Sequence, residues 1–124
     1  MDAIFYPLFR QPEQNGNPEE RGVDLNEQLV RNRPATFVMR VNSNAMQGAG
    51  IHRGDVVIVD RSIEALNGKV IIALLDGEML IRRLDISGGK RRLLPATDRL
   101  GPIDISEGSS FQVWGVVTYV IHSV

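Results

Sequence analysis

The sequence has no cysteine, which excludes disulfides and thiol catalysis and fits a reducing compartment such as the cytoplasm. Histidine is nearly as scarce. His52 and His122 cannot make a zinc site alone, and no carboxylate cluster accompanies them at ligand spacing, so no metal or other cofactor is expected. No apolar run approaches the roughly 20 residues that cross a bilayer, so no membrane span is expected. The opening "MDAIFYPLFRQ" is not basic and lacks a continuous apolar core, which argues against a secretion signal. A large charge excess is missing as well: the formal net charge of −1 gives no global attraction for nucleic acid or a membrane surface.

What is present is the make-up of a globular protein. A chain of 124 residues with 43% hydrophobic and 23% charged content can build one buried core, so a single domain is expected. Residues 1–23 form the weakest segment. There "QPEQNGNPEERG" mixes proline, glycine and polar residues as an extended arm does, whereas the preceding "IFYPLF" is apolar and should dock, on its own body or on a second subunit. Asp24 and Glu27 have the spacing of a capping box, and Leu25, Leu29 and Val30 give a short helix its apolar side before Pro34 ends it.

From Thr36 the pattern turns to strands. "TFVMRV", "DVVIVD", "KVIIALLD", "EMLIRRLDI", "KRRLLPA" and "SFQVWGVVTYVI" are rich in Val, Ile and Leu and are mostly separated by glycine-bearing turns. Asp76-Gly77 and Gly88-Gly89 each mark a tight hairpin. The expected architecture is therefore mostly β: one curved antiparallel domain over residues 24–124, preceded by the arm and one short helix.

The stretch "NSNAMQGAGIHRGDVVIVD" has the cadence of a loop that carries chemistry: small polar residues, a turn, then a buried strand. "FVMRV" with "NSNAM" resembles the strand and Ser-Gly-(Asp or Met)-Ser-Met loop of the LexA/UmuD family, self-cleaving proteins of the bacterial SOS response. "GIHRGDVVIVD", "NGKVIIALLDGEMLIRRL", "RLLPATDRLGPIDI" and "FQVWGVVTYVI" resemble the family's later segments in the same order. "YPLFRQ" and "VDLNEQLV" resemble its UmuD branch, and the DNA-binding domain of LexA is not expected before residue 36.

Members of that family cut one of their own peptide bonds with a serine nucleophile and a lysine base. A serine hydroxyl attacks only when a base takes its proton. A lysine serves if burial lowers its pKa, by up to about 3–5 units from an ordinary value of about 10.4. Backbone N–H groups of the loop stabilise the oxyanion; by resemblance these are those of Asn44 and Ala45. The nucleophile position falls on Ala45, whose methyl group has no lone pair. The lysine position falls on Arg82, and a guanidinium keeps its proton at neutral pH. Making one neutral would take roughly 7–8 kcal/mol, comparable with the roughly 5–15 kcal/mol that stabilises a domain.

Ser43 lies two residues before Ala45 but has no base, and is expected to be a loop hydroxyl bonding backbone. Lys69 and Lys90 sit at hairpin entries and should be solvated, as should His52. The family's scissile bond corresponds to Asn15-Gly16, where asparagine replaces the usual alanine or cysteine and the connector to Asp24 is shorter than in UmuD.

The resemblance implies a catalytically inactive UmuD-like protein: a homodimeric accessory subunit of a Y-family error-prone DNA polymerase that contacts the RecA filament. The alternative is an SOS autopeptidase held in an inactivated form. The arm and "FQVWGVVTYVI", read as an edge strand, are the contact surfaces expected, with packing of Phe111 and Trp114 into their own core as the competing reading. Direct sequence-specific DNA binding is not expected. The basic hairpin of Arg82, Arg83, Lys90, Arg91 and Arg92 is read as a solvated ribbon, with nucleic-acid contact as the minority reading.

Overall fold

The computed structural model describes residues 5–7 and 35–124. The arm from residue 8, the boundary at residues 23 and 24, the Asp24 helix and the Asn15-Gly16 bond lie outside the described residues. Within them the expectation of a mostly β domain is borne out. The strands are β1 (Phe5–Pro7), β2 (Thr36–Val41), β3 (Val56–Asp60), β4 (Val70–Leu75), β5 (Glu78–Ser87), β6 (Lys90–Leu94), β7 (Ile103–Asp104) and β8 (Phe111–Ile121). They form one antiparallel sheet in the order β1-β2-β3-β8-β4-β5-β6-β7. The backbone of "FYP" pairs with β2, Phe5 opposite Val41, so this part of the apolar arm docks on its own body.

Local sequence explains the turns. Asp76 and Gly77 both have positive φ, 47° and 85°, as do Gly88 and Gly89, the backbone state that two-residue hairpins between twisted strands require. In β3 every second residue is buried, Val57 and Val59 facing the core. In β4 and β5 burial runs without alternation through Ile71–Ala73 and through Leu80, Ile81 and Arg82. Both faces of the sheet are covered there, which a flat sheet with one solvated face cannot achieve.

The curl is concentrated in β8. Its C-terminal half pairs with β3 and its N-terminal half with β4, with Val116 in both ladders and a register shift in each. Irregularities of this kind bend and twist a strand. Gly115 sits at the bend, where a Cβ would come within 2.6 Å of Val59 Cγ1, so only glycine fits. This corrects the reading of "FQVWGVVTYVI" as an edge strand: an 11-residue strand is long enough to carry a different neighbour on each half, and β8 lies inside the sheet. Trp114 packs on its own body, edge-on to Phe37 at 5.1 Å between centroids and with the Arg61 guanidinium 4.4 Å above its ring.

Candidate functional site

The loop after β2 is held at both ends. Val41 N–H donates to the Asp55 carbonyl and Gly54 N–H to the Val41 carbonyl, both at 2.8 Å. Arg53 draws the loop together through side-chain amide oxygens: its Nη1 donates to Asn42 at 2.7 Å and its backbone N–H to Asn44 at 3.1 Å. Glycine and alanine make "QGAG" too weak for a long helix, and only a 3-10 turn forms, Gln47–Ala49.

That turn rests on Ala96, which follows β6. Ala96 N–H donates to the Ala45 carbonyl at 2.8 Å and Gly48 N–H donates to the Ala96 carbonyl at 2.7 Å. A Cβ on Gly48 would fall 2.6 Å from that carbonyl oxygen. Ala45 and Met46 are consequently sealed in the core, 2% and 1% exposed. Ser43 is equally buried, and its Oγ accepts the Ala45 N–H at 3.2 Å. The loop hydroxyl therefore bonds backbone, and the amide at position 45 is directed at that oxygen. Asn44 is exposed.

Arg82 occupies β5, 1% exposed, and has the largest side chain among the fully buried described residues. Cross-strand partners share a face, so Ile71, Ala73, Leu80, Leu84, Leu93 and Val116 surround its position with apolar groups. Its Nη1 donates to the Ile81 carbonyl at 2.7 Å. Continuing the β5–β6 ladder one step past the Arg83–Leu94 pair brings Arg82 level with Pro95, next to the residue on which the Ala45 loop rests. Ala45 and Ser43 therefore lie on the loop that rests on Ala96, just past the end of β6, and Arg82 lies on β5 one residue before the last pair of the β5–β6 ladder. Lys69 and Lys90 are exposed, as expected. The rest of the basic hairpin is tied to its own body: Arg83 Nη1 to the Gly68 carbonyl, Arg91 over Phe111, Arg92 to Asp85.

A second cluster was not foreseen. The β3–β8 ladder, with Val56 opposite Ile121, carries Asp55 and His122 to the same edge of the loop. His122 Nδ1 lies 2.8 Å from Asp55 Oδ2, and His52 Nδ1 lies 3.7 Å from the same oxygen. The His52 backbone N–H also donates to it, at 2.7 Å. Burial pushes the Asp55 carboxyl up, but hydrogen bonds from His52 N–H and His122, with the charges of both imidazoles, outweigh it and hold the group below its ordinary 3.8. In the sequence no carboxylate cluster accompanies the histidines at ligand spacing; here the single carboxylate of Asp55, three residues from His52, is joined by His122 through strand pairing.

With this geometry in place, comparison with protein families matches the Peptidase S24-like description over residues 8–118. The chain belongs to the Peptidase S24-like family. Among its relatives, protein ImpA of Salmonella typhimurium is 33% identical over 135 aligned positions, covering 98% of this chain and 86% of ImpA. Protein MucA of Escherichia coli is 33% identical over 102, covering 82% and 69%. LexA repressor 2 of Pseudomonas putida is also 33% identical, covering 82% of this chain and 52% of the repressor. The resemblance to the LexA/UmuD family is thereby confirmed. In this Peptidase S24-like chain the loop keeps a fixed, hydrogen-bonded shape, while position 45 offers no hydroxyl. Among the described residues no helix is long and apolar enough to cross a membrane.

Proposed function

We propose that this protein is a catalytically inactive UmuD-like subunit of the SOS response, acting as an accessory to a Y-family error-prone DNA polymerase in the cytoplasm. What supports this reading is the residue types at two buried positions: Ala45, in a loop held by backbone bonds, and Arg82 on β5, which the resemblance assigns to the nucleophile and the lysine. A nucleophile and a base that cannot be made from a methyl group and a guanidinium leave docking as the task. Residues 1–23 act as the arm and residues 24–124 as the domain. The Asn44 and Ala45 amides, which the resemblance assigns to an oxyanion site, serve no reaction, the Ala45 N–H being engaged by Ser43 Oγ instead, and Asn15-Gly16 stays uncut.

The protein works as a homodimer. Tyr119 and Ile121, 68% and 51% exposed, lie two residues apart on the same face of β8 and supply apolar surface for a second copy. Contact with the RecA filament follows the family reading and needs no sequence-specific DNA binding.

The test is co-purification of the full chain with the catalytic subunit of its cognate Y-family polymerase. Retention of that subunit is expected, and recovery of none would remove the proposal. The competing reading, a silenced autopeptidase, draws on the preserved loop. It requires that Ala45→Ser combined with Arg82→Lys release a fragment cut at Asn15-Gly16, and intact mass after incubation at alkaline pH distinguishes the two.

A further inference from the structure

The cluster at the edge of the loop is chemically unlike the rest of the molecule. Its donor atoms are two imidazole nitrogens and one carboxylate oxygen, contributed by His52, His122 and Asp55, all within 4.8 Å of one another. The geometry points to a binding site for one divalent first-row transition-metal ion, with Zn2+ the best match, held by His52, Asp55 and His122.

Donor chemistry selects the ion. Imidazole with carboxylate suits zinc and its neighbours, whereas Ca2+ and Mg2+ prefer all-oxygen shells. Zinc–nitrogen and zinc–oxygen bonds of roughly 2.0–2.2 Å set ligand atoms about 3.3–3.5 Å apart in a tetrahedral shell. The present separations from Asp55 Oδ2, 2.8 Å to His122 and 3.7 Å to His52, straddle that interval. Small rotations of two half-exposed rings meet it, and the ring centroids already stand only 5.9 Å apart.

The framework is built in advance. His122 directly follows β8 and Asp55 directly precedes β3, and these strands are paired to their ends. His52 is fixed to Asp55 by a reciprocal pair of bonds: its N–H donates to the carboxylate at 2.7 Å, and Asp55 N–H donates to the His52 carbonyl at 3.0 Å. The carboxylate is thus oriented by a backbone donor, the kind of outer support that metal ligands use. Asp55 is buried while both rings reach solvent, so water completes the ion's shell and the site is open on one side. Bound metal would clamp the end of the Ala45 loop to the end of β8.

Metal-stripped, untagged full-length chain titrated with ZnCl2 in a calorimeter near neutral pH is expected to bind one ion per chain, with a thermal midpoint that climbs as Zn2+ is raised. Replacing Zn2+ with Co2+ should produce visible ligand-field absorbance. His122→Ala and His52→Ala alter half-exposed residues outside the hydrophobic core, and an unchanged far-UV circular dichroism spectrum checks that they fold. Each should weaken Zn2+ binding by on the order of tenfold or more and abolish the Co2+ bands. Failure of the wild-type chain to bind saturably, or undiminished binding in either variant, overturns the assignment.

Discussion

Two regions of the molecule lie within one loop of each other and differ in almost every physical respect. The Ala45–Arg82 region is buried, largely apolar and hydrogen-bonded to backbone, with a methyl group at position 45 and the Ser43 hydroxyl engaged by the Ala45 N–H. The His52–Asp55–His122 cluster is half-exposed and rich in donor atoms. The contrast teaches that a scaffold and its chemistry are separable. The loop around position 45 is held by backbone bonds to Ala96 and by the close approach of Gly48, neither of which needs a serine beside it, so its shape does not depend on a hydroxyl there. Donor side chains gather where the ends of β3 and β8 leave them wet, and packing does not dictate their identity there.

The sharpest way to break this contrast is Arg82→Ala. If the arginine is a packing element, deleting it leaves a cavity under an apolar face and lowers stability by about 3–5 kcal/mol in urea unfolding; a loss under about 1 kcal/mol would show that the site collapses without it. Next comes Gly48→Ala, whose added methyl meets the Ala96 carbonyl at 2.6 Å. A cost of about 1–3 kcal/mol is expected, with chemical-shift changes centred on residues 43–51 and Ala96, and no response there would show that the turn does not rest on β6's end. His122→Ala in the absence of metal should cost no more than about 1 kcal/mol, because the His122 ring is half-exposed and the Asp55 carboxylate keeps the His52 N–H as a donor. A larger loss in the same unfolding measurement would make the rim as structural as the core.

The smallest effect is at Asp60. The Ser62 hydroxyl and backbone N–H donate to its carboxylate at 2.6 and 2.7 Å and hold its pKa below the ordinary 3.8. A depressed carboxyl contributes stability above its unfolded pKa and loses it as pH falls through the folded one. Ser62→Ala should therefore raise the Asp60 midpoint toward 3.8 in a carbon-detected NMR titration, and an unmoved midpoint would reject that cause.

Much of this was legible in the sequence because it is local. Asp76-Gly77 and Gly88-Gly89 announce their hairpins by the backbone angles they tolerate, alternating Val57 and Val59 announce a half-covered strand, and Ser43 two residues before Ala45 announces a backbone-bonding hydroxyl. What escaped depends on pairing over long separations. Nothing around Phe111 or Ile121 tells that β8 divides its two halves between β4 and β3, and without that ladder nothing brings His122 to Asp55. The clue available was the His52–Asp55 spacing in a turn just before a strand, which gains meaning only once its partner strand is known.

Incubation of the purified full chain, with contaminating proteases inhibited and its intact mass followed over days, bears most directly on whether position 45 and position 82 can still cut. The account predicts one unchanged mass throughout; a product shortened at Asn15-Gly16 that accumulates at a rate independent of protein preparation would contradict it.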